Sequence, residues 1–430
     1  MAGPANDTSY LPLLREIWPQ KAVEFVLYEE DAWLGSIRKD TTFTDVKWHI
    51  ATGYSPGGGG VSPDFSIAKA YKSPTKSAAF EVETHEYHAL FSLAGKLARR
   101  AKHGGNKSVV IDPLRTESQR KLEYIRRCIS RDMHGNGTGA IGRISSSGNN
   151  PNSSLTITLD NAADVRNFEE GMPVQFASTA TTATTPRAGV AIVTAVVEDD
   201  TAPTITFSGT SNIAESITAP GTTDYLFMAG TVGGTVLSGA DMWCPTWTTS
   251  SLPGTLYTVN RDLNPGRLAG RVVNGGTLGI TSVYNLFQRC ARVAKDAGGP
   301  GNGLKGLIST RKWESLSNEL QSAGKLVYTA VPAQGTNKFK PGIDYKAIEL
   351  VTAAGPVAIM PCADMSDSYL RVITEKDWVL ASCGPLISWD DEAKPGAGMV
   401  EENADSREYR AVGDIELICE NPGRQVKGLF

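Results

Sequence analysis

Between Lys121 and Lys295 the chain has no lysine, although lysine and arginine together number 42. The residue usage changes over the same stretch: from Ile144 to about Met228, threonine, serine, alanine and glycine dominate. A segment so different from its surroundings must build a core of its own from short apolar runs. Such runs stand at Leu155–Leu159, Pro173–Phe176, Val190–Val196, Thr204–Phe207 and Tyr225–Met228. Glu169-Glu170-Gly171 and Glu198-Asp199-Asp200 supply turns between them. Short runs rich in β-branched and aromatic residues, bounded by turn residues, predict a small all-β unit, sandwich or barrel, set between helical parts.

Just before this stretch the pattern predicts a long amphipathic helix over 113–134. Asp112 can cap it, and Pro113 occupies the first helical position, where its missing N–H costs nothing. Leu114, Ser118, Leu122, Ile125, Ile129 and Met133 recur at steps of three or four, and Gly135 ends the run. The opposite face carries Arg115, Glu117, Arg120, Lys121, Glu123, Arg127 and Arg131, as on a helix lying across a surface. A shorter helix is expected upstream, with Leu90, Leu93, Leu97 and Ala101 on one face and Gly104-Gly105 as its stop.

Nearer the start, Thr42 to Thr84 reads as a long two-stranded excursion. Phe80, Val82 and Thr84 alternate as in a half-exposed strand. Gly57, Gly58, Gly59 and Gly60 form its tip, where ordering the backbone carries a large entropic cost. The first forty residues are apolar but irregular, a segment that packs on something else. Beyond the β unit, helix and strand alternate. Ser282 caps one helix, and Ser309 or Thr310 another. Strands are expected at Leu307-Ile308, Ala347–Val351, Val357–Met360, Trp378–Leu380 and Ile415–Cys419. The fold class is α+β.

A chain of 430 residues allows two to four domains at about 100–200 residues each. The net charge is −4, which excludes a basic nucleic-acid wrapper, since binding through counterion release needs surplus lysine and arginine. No run of about 18 apolar residues marks a membrane span, and Met1 to Tyr10 lacks the pattern of a secretory leader. The cysteines, Cys128, Cys244, Cys290, Cys362, Cys383 and Cys419, form no CxxC pair and read as reduced thiols of a protein made in a cytosol.

Candidate chemistry is sparse. Gly301-Asn302-Gly303-Leu304-Lys305-Gly306 matches G-x-G-x-x-G, but a helix precedes it and a strand follows. A pyrophosphate site needs the reverse order, so the segment reads as a loop. His85-Glu86-Tyr87-His88 is one residue short of HExxH and cannot place both histidines on one helix face toward a metal. His49, His103 and His134 are the other histidines, and all five precede the β unit. Asp390-Asp391-Glu392 and Glu401-Glu402 read as solvated loop charge. No P-loop or G-x-S-x-G elbow is present. No catalytic, cofactor or metal residues are assigned, and the residues alone describe a multi-domain structural protein.

The order of parts resembles the tailed-phage major capsid family, with the Hong Kong 97 phage capsid fold. Arg131-Asp132-Met133-His134-Gly135-Asn136-Gly137-Thr138-Gly139-Ala140 is similar to the family's exit from its spine helix. Asn167-Phe168-Glu169-Glu170-Gly171-Met172-Pro173-Val174 resembles the opening of a β insertion found in some members. Gly355–Ile359, Arg407–Arg410 and Ile415–Leu417 resemble its closing strands.

The resemblance implies an N-terminal arm over 1–39, an E-loop over 40–85 lying on a neighbouring subunit, and a P-domain over 86–141 with the spine helix. It also implies an inserted all-β domain over 142–238 on the shell surface, and an A-domain with return strands over 239–430. It implies a self-assembling subunit of hexamers and pentamers that encloses double-stranded DNA, touched without sequence specificity. Scaffolding, portal and decoration proteins would be its partners, the virion capsid its place and the host bacterial cytoplasm its site of synthesis. The charged helix face, Arg115, Glu117, Arg120, Glu123 and Arg127, would be the intersubunit candidate. No fused scaffolding domain is evident, and Lys69, Lys72 and Lys76 lie where part of the family cross-links covalently, without an identified partner. Competing readings are an encapsulin-like compartment shell, which shares the fold, a carbohydrate-binding surface β-protein and, third, an enzyme.

Overall fold

The computed structural model describes residues 31–42, 48–55, 65–70, 74, 76–96, 113–148, 150–181, 183–199, 201–300, 303–322, 348–389, 399–400 and 405–430. Residues 1–30 of the expected arm, the Gly57–Gly60 tip, the Asp112 cap and the acidic pairs near 391 and 401 lie outside them.

Strands β1 (Trp48–Ser55) and β2 (Lys76–Val82) pair antiparallel from Trp48↔Val82 to Ser55↔Lys76. This is the expected two-stranded excursion, with a short helix, Phe65–Ala70, between its arms. Phe80 and Val82 are buried at its root.

Strand β3 (His85–Ala94) stands where the leucine spacing predicts a helix. Leu90 and Leu93 fit a helical face, but Tyr87, Ala89, Phe91 and Leu93 fit a strand as well, and these four are the buried ones while Leu90 is 53% exposed. The ambiguity is settled by a partner more than 300 residues away: every residue of β3 pairs antiparallel with the strand Ser406–Cys419. Tertiary pairing overrides local preference.

Helix α1 (Pro113–His134) follows as expected. Ile125, Cys128, Ile129 and Met133 of its second half lie in the core. The chain leaves α1 through Gly135–Gly139, a passage that needs glycine: Gly139 has φ +80°, and a Cβ there would lie 2.1 Å from the Thr231 carbonyl oxygen.

Strands β4 (Ala140–Arg143), β5 (Thr156–Thr158), β6 (Pro173–Ala177), β7 (Ala191–Val197), β8 (Thr204–Phe207) and β9 (Tyr225–Met228) then form one antiparallel sheet. Its order is β4-β9-β6-β7-β8-β5. The Ile144↔Leu159 bridge joins the two ends, so the sheet closes into a barrel. Ile157, Leu159, Val174, Phe176, Val193, Ile205, Phe207 and Leu226 fill it.

The rest of the chain adds β10 (Arg271–Asn274), α2 (Val283–Asp296), β11 (Leu304–Ser309), α3 (Thr310–Ser322), β12 (Ile348–Thr352), β13 (Gly355–Cys362), β14 (Tyr369–Thr374), β15 (Trp378–Ser382), β16 (Ser406–Cys419) and β17 (Val426–Leu429). Ser282 caps α2 through the Asn285 amide, as its position predicts. One mixed sheet runs β10-β17-β14-β11-β13-β12, with Leu286, Phe287 and Cys290 of α2 and Leu316 and Leu320 of α3 in its core. A second sheet joins Arg38–Asp40, β15 and β16, with β3 also on β16. Strands β14 and β17 do not stand out in the sequence, although both are central.

Candidate functional site

The charged face of α1 divides once its surroundings are seen. Arg120 is exposed, and Glu117 and Glu123 are half-buried. Arg115's side chain lies outside the described residues. Arg127 points back into its own chain and forms an ion pair with Glu169, in the turn before β6. That pair braces the helix against the barrel. Arg131, also on this face, bonds Asp132 at 2.9 Å, and the Tyr87 hydroxyl donates to the same carboxylate at 3.0 Å.

Below the end of α1 lies a charged cluster assembled from residues far apart in the chain. Arg371 of β14 is buried; its guanidinium donates to the His134 carbonyl at 3.0 Å and pairs with Asp241. Lys427 of β17 reaches the same Asp241 oxygen at 2.8 Å. Both cations sit over the Tyr369 ring, at 4.6 and 4.3 Å. Burial pushes the Lys427 ammonium below its ordinary range, against the opposing pull of Asp241. Two cations and one carboxylate leave a positive excess, and the second carboxylate is Asp31, across the His134 ring. Trp33 packs on that ring, with centroids 5.1 Å apart. Residues 31–37 are thereby locked to α1 and to the mixed sheet. The sequence does hold a faint signal: Arg371 and Lys427 are each the single charge of a short strand, and Glu416 lies within the apolar run Ile415–Cys419.

Asp31, His134 and Cys362 bring one ligand atom each within 4.8 Å of one another, a spacing that could hold a metal ion. The histidine argues otherwise. A metal-bound imidazole donates its second N–H to an acceptor, but His134 Nδ1 faces the Arg371 guanidinium at 3.4 Å. Nδ1 is therefore the acceptor, and Nε2 carries its proton toward Asp31 Oδ2 at 3.4 Å. The trio reads as a hydrogen-bonded strut. Cys244 is buried, and burial pushes its thiol up to about 12, away from the reactive thiolate.

A cavity of about 210 Å³ separates the barrel from the body. Arg131, Arg143 and Arg166 border it with Asp164 and Asp364, so its cations outnumber its carboxylates by one. Burial pushes the Asp164 carboxyl up to about 7, against the pull of Arg166. His85 and His88 alternate on β3 and face opposite sides, which separates the near-HExxH pair. Gly303 immediately precedes β11 with φ +93°, consistent with a loop.

No family model matches the sequence, and no curated protein matches it. Solved structures do. In architecture the chain has the phage capsid fold, mixed α+β with several sheets. The likeness rests on the cyanophage A-1(L) capsid asymmetric unit, at TM-score 0.52 and 12% identity over 96% of this chain and 96% of that one. The capsid of the native GTA particle aligns over 100% and 99% of the two chains at TM-score 0.47 and 8% identity. The phage G major capsid proteins, solved with decoration proteins, align over 100% and 99% at TM-score 0.42 and 8% identity.

Proposed function

We propose that the chain is the structural subunit of a tailed-phage capsid, self-assembling into hexamers and pentamers that enclose double-stranded DNA. The observation that carries the reading is a single end-to-end fold likeness: 96% of this chain lies on 96% of a cyanophage capsid subunit. In this reading the β1–β2 hairpin is the E-loop, α1 the spine helix, and the mixed sheet with α2 and α3 the A-domain. Residues 31–39 are the end of the N-arm, and the barrel is an inserted domain. The role is structural, not enzymatic.

Charge supports the placement of the barrel. Residues 142–238 hold three arginines and nine acids, a net −6, while the remainder is net +2. An acidic unit is best placed away from packaged DNA, with the weakly basic remainder toward it. A decoration protein, present beside the phage G subunit, and scaffold and portal proteins would be partners at the shell.

The test is to express the full chain and examine it by negative-stain microscopy and sedimentation. Closed shells or capsomer rings are expected, and a monodisperse monomer at high concentration would overturn the reading. Arg120, an exposed cation of α1, supplies a second arm: Arg120→Glu is expected to leave melting unchanged and to lower particle yield.

A further inference from the structure

The cavity between barrel and body is bordered by charges that do not answer one another. Asp164 and Arg166 stand two positions apart on the short turn Ala162–Asn167 of the barrel. Residues two apart on a helical turn do not face each other, and no ion pair joins these two. Arg166 Nε donates to the Ala163 carbonyl at 2.8 Å, which fixes the guanidinium and leaves its two terminal nitrogens without a partner among the described residues. Asp164 Oδ1 accepts from the Asn161 side chain at 3.0 Å, and its other oxygen has no partner among the described residues. Asp364, in the segment after β13, repeats the pattern on the body side. Its Oδ2 accepts from the Ser130 hydroxyl at 2.6 Å, and no cation pairs with it among the described residues.

The other two arginines are engaged. Arg131 bonds Asp132 at 2.9 Å. Arg143 reaches Asp160 at 3.8 Å and lies over the Tyr225 ring, 5.1 Å from its centroid. The uncommitted charge at the cavity is therefore one guanidinium fork and two carboxylates. Charges partly withdrawn from water and left unpaired are costly. A simple anion would meet Arg166 but face Asp164 and Asp364. A simple cation would meet the carboxylates but face Arg166. A molecule that carries both signs satisfies all three.

The ligand can be narrowed further. Opposite signs come from neighbouring positions of one turn, so the ligand's two charges must also lie close together. Carboxylate oxygens only accept, so its cation must carry N–H groups. A guanidinium fork matches a planar carboxylate. The volume of about 210 Å³ falls below the range of about 300–1,000 Å³ common for drug-sized ligands, so the ligand is small. Ile141 and Met365, both buried, supply an apolar wall.

We propose that this cavity binds a small α-amino acid with an apolar side chain, its carboxylate on Arg166 and its ammonium on Asp164 and Asp364. Two of these residues belong to the barrel and one to the body, so the bound molecule ties the units together. This inference does not depend on the chain's forming a shell.

Isothermal titration of the full-length chain with L-valine tests it. The titration is run at pH 8, above the value of about 7 that burial gives the Asp164 carboxyl, so that this group is ionised. Two further probes each keep the side chain and one charge: isovalerate the carboxylate, isobutylamine the ammonium. Saturable binding of L-valine is expected, with either single-charge probe weaker by about tenfold or more, the loss of hydrogen bonds to a charged group. Arg166→Gln and Asp164→Asn should each weaken L-valine by about tenfold, while Asp164→Asn should not weaken isovalerate. Absence of saturable binding, a single-charge probe as tight as L-valine, or L-valine binding unchanged in either variant would overturn the proposal. Should a variant fail to fold, the three probes on the wild type decide the matter alone.

Discussion

The barrel and the body that carries it are solved in opposite ways. The barrel fills its interior with Ile157, Val174, Phe176, Ile205, Phe207 and Leu226, all apolar, from strands that follow one another closely in sequence. The body buries Arg371, Lys427, Asp31 and Glu416, with a half-buried Asp241 beside the first two, at the junctions of segments far apart in the chain. His85 and Glu416 are separated by 331 positions. A local core needs no polar signposts. A core assembled from distant pieces gains from them, because a buried charge leaves little choice of partner: a wrong pairing strands it at a cost of several kcal/mol, on the order of the whole stability margin.

The sharpest way to break the comparison is to unpair the body. Arg371→Met leaves Asp241 with Lys427 alone and the His134 carbonyl with only the Tyr369 hydroxyl, at 3.3 Å. It is expected to destabilise the body by about 3–5 kcal/mol, read as a lowered midpoint in denaturant, while the barrel's own unfolding transition in the same variant is unchanged. If the variant is as stable as the wild type, the charges do not specify the body's assembly.

The matching cut in the barrel is Phe176→Ala, which opens a cavity beside Phe207, whose ring centroid is 5.7 Å away. About 3–4 kcal/mol should be lost from the barrel, with the body's near-ultraviolet dichroism retained. Joint collapse of both regions would show one cooperative core where two are argued.

Asp164 tests the boundary between them. Its folded value near 7 exceeds the ordinary 3.8, so the native state binds the extra proton and stability falls as pH rises from about 4 to 7. The slope for one proton is at most about 1.4 kcal/mol per pH unit. Asp164→Asn should flatten that slope in unfolding curves taken across the window; an unchanged slope would mean the group titrates normally.

The smallest effect is expected at Arg127→Ala, since a partly exposed pair is worth about 0–1 kcal/mol. Its loss should alter the barrel's orientation, measurable by small-angle scattering, more than the melting temperature. A drop in melting larger than a few degrees would make Arg127 part of the core.

The same contrast explains what could be read in the residues. All five strands expected in the barrel are present, because alternation and turn residues are local signals. Helix α1 was legible for its first-position proline, its period and its stop. Strand β3 was not, because Leu90 and Leu93 fit two periods and only the distant strand β16 decides between them. Strands β14 and β17 were hidden by the charges within them, Arg371 and Lys427, which look like surface until Asp241 and Tyr369 are seen beneath. Arg127 looked like an outward cation because Glu169, 42 positions on, comes near only through the barrel's placement.

The passage at Gly139 and Thr231 has a bearing on how such a chain can change. Its outgoing and returning strands are so close that one added methyl would collide with the facing carbonyl. The barrel's two ends therefore meet at a single doorway. To the body, everything beyond that doorway is one short loop, whatever its length. An unrelated module whose own termini lie side by side could be grafted at the same point, and loss of the barrel would need only a tight turn to seal the gap. The geometry makes the barrel a detachable cargo position, open to exchange while the rest of the molecule keeps its architecture.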